Sequence, residues 1–159
     1  MTLYMERNAF SWGRRLPLTE KNGHTRYTLI SDPYGPRKQL QVLDLASEKA
    51  VSVQQSFPSL FPRYEIEVYG KPVGAVQKDL RFTPPQYTIE RPGWTMTGSV
   101  ARCDYTLLRD NTPLASCHPM PEKPGYFTLE FHDRAETLPA LGVMMIINCV
   151  LTFQAPPTV

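Results

Sequence analysis

Cysteine is scarce in this chain: there are three in 159 residues. Cys103, Cys117 and Cys149 lie far apart, with no Cys-x-x-Cys spacing. An odd count without paired spacing excludes a disulfide framework and a zinc ribbon. Glycine is also sparse, at 9 residues, and forms no phosphate-cradling loop. Gly-x-Ser-x-Gly and His-Glu-x-x-His are both missing, so no strand-to-helix nucleophile or helical zinc pair is on offer. The expectation is a protein that is not an enzyme, with no catalytic residues, no cofactor and no metal. Charge of one sign is lacking too, the net value being +2. No nucleic-acid partner is therefore expected. The N-terminus lacks the charged-then-apolar pattern of a secretory signal, which predicts a cytoplasmic, reducing location.

Long apolar runs are missing with one exception, Leu138 to Phe153. As a helix those positions span roughly 24 Å, short of the ~30 Å hydrocarbon core of a bilayer, so no transmembrane segment is expected. Leu141, Met144, Met145 and Leu151 fall on one side of that helix. Val143, Ile146, Ile147, Val150 and Phe153 cover the other. With no face left for water, the helix must be buried all round. Thr137 is the expected N-cap, and Pro156-Pro157 prevent continuation.

What is abundant is proline, with 16 residues spread along the chain. They punctuate segments of four to eight residues with β-type composition. Asn22-Gly23 joins Arg14–Glu20 to Thr25–Ser31, a hairpin signal. Lys38–Asp44 turns into Ala50–Gln55, and Arg63–Tyr69 alternates cleanly before Gly70-Lys71. Tyr87–Glu90 turns at Arg91-Pro92-Gly93 into Trp94–Ser99. Asp104–Arg109, Thr112–Cys117 and Tyr126–Phe131 follow. Together with a first strand around Leu3 and Met5 and the segment at Pro72–Lys78, the count is twelve. No linker divides them, so residues 1–159 read as a single domain. An ~11-stranded can holds a central helix, whereas ~8 strands hold only their own side chains. The fold predicted is a mainly β, closed twelve-stranded antiparallel barrel around the C-terminal helix. Leu141, Gly142, Met145, Ile146, Asn148 and Cys149 form its axis. Gly142 permits close backbone approach, and Asn148 needs a hydrogen-bond partner, expected to be a barrel backbone group.

Two surface regions are candidates for binding. Residues 1–40 carry seven Lys/Arg against three Asp/Glu. Arg14 and Arg15, with Arg37, Lys38 and Trp12, are candidate contacts for phosphate or an anionic phospholipid surface, which would make the protein peripheral to a membrane. A solvated basic face is the alternative. Phe57, Leu60 and Phe61, in a proline-bounded loop, are candidates for docking an unidentified protein partner, or for folding back over a barrel mouth. Cys117 and His118 are adjacent but point to opposite faces of an extended strand, so they do not make a nucleophile and base.

The order Phe10-Ser-Trp-Gly13, Pro62-Arg-Tyr-Glu-Ile66, Tyr87-Thr-Ile89, Trp94 to Gly98, Asp104-Tyr-Thr106 and the terminal helix resembles the bacterial LURP-one-related family along nearly the whole chain. That family is similar in fold to the tubby C-terminal domain and the phospholipid scramblases. The resemblance implies a twelve-stranded barrel around a hydrophobic C-terminal helix. It further implies a non-enzymatic binding or scaffold module, contacting anionic lipid or acting as a protein-interaction adaptor. Asn148 departs from the pattern, standing where relatives carry an acidic residue, so a role tied to that charge does not transfer.

Overall fold

The computed structural model describes residues 1–6, 13–32, 39–56, 61–83 and 85–151. Twelve strands precede a single helical element: β1 (Thr2–Glu6), β2 (Leu16–Thr19), β3 (Thr25–Asp32), β4 (Gln39–Leu43), β5 (Lys49–Gln55), β6 (Arg63–Val68), β7 (Lys71–Asp79), β8 (Gln86–Glu90), β9 (Trp94–Ser99), β10 (Asp104–Arg109), β11 (Thr112–Pro119) and β12 (Tyr126–Phe131). They form one antiparallel sheet in the order β8-β7-β6-β5-β4-β3-β2-β1-β12-β11-β10-β9. The sheet curls into a nearly closed barrel, with β1 paired to β12 through Leu3 opposite Leu129. Odd-numbered strands begin, and even-numbered strands end, at one mouth. The helix starts there too, and this is called the near mouth below.

Alternation decides which residues face the helix. In β4, Leu40 and Val42 are buried between half-exposed glutamines, and in β12 Phe127, Leu129 and Phe131 point inward. The period of two puts every second residue on the inner face, so each strand contributes to one continuous core.

The sheet's two ends, β8 and β9, are consecutive in the chain, yet among the described residues no ladder joins them. The expected hairpin at Arg91-Pro92-Gly93 is therefore a seam. The turn itself forms: Trp94 N–H donates to the Arg91 carbonyl at 3.1 Å, and Gly93 has φ +77°. A Pro-Gly turn with positive φ at the glycine follows the type II pattern, whose twist splays the flanking strands. β8 then pairs with β7, and β9 with β10.

The helix departs from expectation at its cap and widens toward its end. α1 (Thr137–Met145) is regular, and Ile146–Leu151 continue it as a π-helical segment. Its N-cap position is Glu136, not Thr137, and no side chain caps it. Thr137 lies one residue inside, where its hydroxyl donates to the Asp133 carbonyl at 3.0 Å. The Glu136 carboxylate is drawn away to Arg91, as described below. Every residue from Pro139 to Cys149 is buried, as a helix without a polar face requires. Gly142 sits where the barrel wall is closest. A Cβ there would lie 2.7 Å from Ile66 Cγ2 and 3.2 Å from Val51 Cγ1. Among the described residues no helix is long and apolar enough to cross a membrane.

Candidate functional site

Polar groups gather at three places, each set up by the barrel's geometry. The first is inside. Asn148, fully buried in the π-helical segment, accepts a hydrogen bond from the Tyr105 hydroxyl at 2.8 Å. Its amide nitrogen lies 3.5 Å from Cys117 Sγ and 3.8 Å from Met5 Sδ. These three partners are side chains of the barrel wall. A π-helical turn, with its i→i+5 pairing, aims side chains differently from a regular helix. The three thiols are buried and form no disulfide. Burial pushes the Cys117 thiol up to about 12, against a lesser opposing pull from Asn148. It also raises the Tyr105 phenol far above its usual value. At neutral pH both stay protonated, which makes this cluster a structural node and an unreactive one.

The second place is the outer wall. Cys117 points in and His118 points out, as alternation requires. His118 Nδ1 lies 2.6 Å from Asp104 Oδ1 across the β10–β11 ladder, with both side chains exposed. No group of three or more metal-ligating side chains occurs among the described residues. A groove over β4–β6 is lined by Gln39, Gln41, Ser52, Gln54, Glu65 and Glu67. Lys49 also lines it, beside the two carboxylates of Glu65 and Glu67, so its charge is mixed.

The third place is the near mouth. On the seam side, Arg91 donates through Nε and Nη2 to the two Glu136 oxygens at 3.0 and 3.1 Å and through Nη1 to the Val73 carbonyl at 2.7 Å. Its guanidinium lies 5.3 Å from the Trp94 ring centre. Arg109 adds Asp133 at 3.2 Å and Glu136 at 3.7 Å. This cluster bolts the helix start to both lips of the seam. Across the mouth, a cleft of about 420 Å³ opens between β3, the end of β12 and the start of α1. Arg26, His132 and Arg134 stand on its rim, with Tyr27, Phe131 and Leu138 below them. No acidic side chain among the described residues lines it. Neither Arg26 nor Arg134 meets a carboxylate among the described residues, whereas Arg91 and Arg109 do.

Of the sequence-predicted contacts, Arg14 and Arg15 are exposed where the chain approaches β2, at the mouth opposite this cleft. Trp12, Arg37, Lys38, Phe57 and Leu60 lie outside the described residues. Phe61 is half-buried, with the Arg81 guanidinium 4.8 Å from its ring centre, and beside it Leu80 and Phe82 remain 44% and 43% exposed. Leu141, Gly142, Met145, Ile146, Asn148 and Cys149 line the axis as expected. Arg26, His132 and Arg134 were not anticipated. They come from the start of one strand and the loop after another more than a hundred residues on, and no local pattern marks them.

A nearly closed twelve-stranded barrel threaded by one hydrophobic helix is the tubby-like architecture. The chain belongs to the LURP-one-related family, whose model matches residues 1–147. It is 28% identical over 105 residues to the uncharacterized protein YxjI of Bacillus subtilis (strain 168), a stretch covering 66% of this chain and 65% of that relative. The matched stretch is thus just under two thirds of the relative's length. A protein from Arabidopsis thaliana solved by X-ray crystallography is similar in fold, with a TM-score of 0.61 at 13% identity, over 92% of this chain and 90% of that one.

Proposed function

We propose that this chain is a non-enzymatic binding module, cytoplasmic and peripheral to a membrane, that meets anionic groups through the near mouth of its barrel. The observation that carries this reading is the contrast within that mouth. Arg91 and Arg109 are neutralised by Glu136 and Asp133, while Arg26 and Arg134 face a cleft that no acid among the described residues lines. A cation left without a counter-charge beside a concavity is positioned to meet an anion, and arginine suits carboxylate and phosphate oxygens. Two features support the non-enzymatic reading: burial keeps the Cys117 thiol protonated, and the exposed His118–Asp104 pair lies on the opposite face of the wall from it.

Arg14 and Arg15, at the opposite mouth, remain a second candidate contact, proposed together with Trp12, Arg37 and Lys38 from the sequence. Co-sedimentation separates the two. Vesicles of phosphatidylcholine with phosphatidylserine should retain the protein at low salt and release it as salt rises. Arg26→Ala with Arg134→Ala should abolish retention. Retention unchanged by that pair but lost in Arg14→Ala with Arg15→Ala would move the contact to the opposite mouth.

A protein-interaction adaptor is the second reading, favoured by the exposed Leu80 and Phe82 beside Phe61. Affinity capture from native lysate, identifying lipids and proteins together, tests it. A protein partner lost on Leu80→Ser with Phe82→Ser, with no lipid enrichment, would establish the adaptor in place of the lipid contact.

A further inference from the structure

The near-mouth cleft is built in two halves, and the division constrains its ligand. Its rim carries two cations and an imidazole: Arg26, Arg134 and His132 are all exposed. Its floor is apolar: Tyr27 and Phe131 belong to the hydrophobic core, and Leu138, half-buried at the helix start, packs against that core. At about 420 Å³ the cleft is within the size range of small-molecule sites. A lone inorganic anion would use the rim and leave the floor to water. A flat membrane surface would reach the rim arginines without entering the cleft.

From this arrangement we infer that the cleft binds, one molecule at a time, a single-chain anionic amphiphile: a compact oxyanion head, carboxylate or phosphate monoester, on a short apolar body. The head sits between the Arg26 and Arg134 guanidiniums, each able to donate a forked pair of N–H groups to two oxygens. The first methylenes of the tail cover Phe131 and Leu138. The Tyr27 ring has the Arg26 guanidinium 5.7 Å from its centre, a cation–π contact that limits where that arginine can swing. The inference rests on the near-mouth reading above and adds to it the shape of the ligand and a one-to-one stoichiometry.

Calorimetric titration of the full chain tests it, with four probes: sodium phosphate, hexanoate, hexyl phosphate, and vesicles of phosphatidylcholine with phosphatidylserine. Hexyl phosphate, hexanoate or both should bind one-to-one. Affinity should rise about threefold to fourfold per methylene from ethyl to hexyl, the equivalent of ~0.8 kcal/mol for each buried CH₂. Arg26→Ala and Arg134→Ala, each at an exposed position that leaves the core intact, should weaken the bound amphiphile at least tenfold when combined. Arg102→Ala with Lys123→Ala, which removes equal charge from turns at the opposite mouth, should leave it unchanged. Phosphate binding as tightly as hexyl phosphate would overturn the amphiphile and preserve the anionic contact. Vesicle binding without any one-to-one binding of the soluble amphiphiles would do the same. Amphiphile binding indifferent to the arginine pair would overturn the assignment to this cleft. Failure of all four probes would remove both the inference and the reading on which it rests.

Discussion

The central helix is anchored by polar contacts at both ends, and the two anchors are built from opposite chemistry. At its start, Glu136 is held by Arg91 and Arg109, full charges that are only partly shielded from water. Near its end, Asn148 is held by Tyr105, with Cys117 and Met5 alongside, all neutral and all fully buried. The difference follows from solvent. A charge at the mouth keeps part of its hydration, so an ion pair is tolerable there. The same pair inside the barrel would lose several kcal/mol per ion to desolvation. A neutral amide meeting a phenol avoids that cost while still fixing the rotation of a helix whose apolar surface is otherwise uniform. It also accounts for the amide at position 148: a carboxylate there would be buried next to a phenol and a thiol that both stay protonated.

Removing both anchors with the helix itself should have the largest effect. A chain ending at Arg134 or Thr137 leaves the inner face of twelve strands without the residues that fill it, so cooperative unfolding should vanish in calorimetry and the product should aggregate. A truncated protein that melts cooperatively would show that the barrel does not depend on the helix.

Next comes the interior anchor. Asn148→Leu strands the Tyr105 hydroxyl and should destabilise by about 2 kcal/mol in denaturant titration, while the protein still folds. Tyr105→Phe added to it should recover part of that loss, because no buried donor is then left unsatisfied. An Asn148→Leu variant more stable than the parent would show that the amide serves something other than packing.

Arg91→Ala, at the exterior anchor, should cost less, about 1 kcal/mol, since the pair is partly solvated. The salt response sharpens the contrast. The Arg91 effect should shrink as ionic strength rises and the Asn148 effect should not. Equal salt sensitivity at both ends would erase the distinction. Amide exchange in β8 and β9 should also quicken in Arg91→Ala, because that side chain bridges the seam where no ladder does.

The smallest effect at ordinary pH concerns Cys117. Its folded pKa, about 12, is raised from an ordinary value of 9.0. Below pH 9 the thiol is protonated in both states and its contribution to stability is fully present. Above 9 the unfolded chain releases the proton first, so that contribution falls as pH rises toward 12. Cys117→Ser or Cys117→Ala should flatten the alkaline limb of stability against pH. In the native state thiol reagents should label Cys117 only as fast as the barrel opens.

Much of the fold was legible because it depends on local pattern. Alternation at Arg63–Tyr69, the Asn22-Gly23 turn and the glycine at 142 each carry their meaning in the sequence, and twelve segments read as strands are twelve strands. The seam was less legible. Arg91-Pro92-Gly93 announces a turn, but whether the flanking strands stay paired depends on how that turn's twist meets a sheet already curved around a helix. The widening of the helix at Ile146 is similar, since an apolar run does not record how it accommodates one buried amide.

The near-mouth cleft lies at the far end of that scale. Nothing near Arg26 in the chain distinguishes it from Arg14, for both are arginines beside short strands in a basic quarter of the sequence. The sequence by itself determined the strand count and the burial of the terminal helix, because each follows from the spacing and type of neighbouring residues. Only the tertiary structure decided which arginines are neutralised and which face an open cleft. Barrel closure sets β3 beside the loop after β12 and pairs Arg91 with Glu136 across 45 residues, and electrostatic partnership depends on distance in space, which no local pattern encodes.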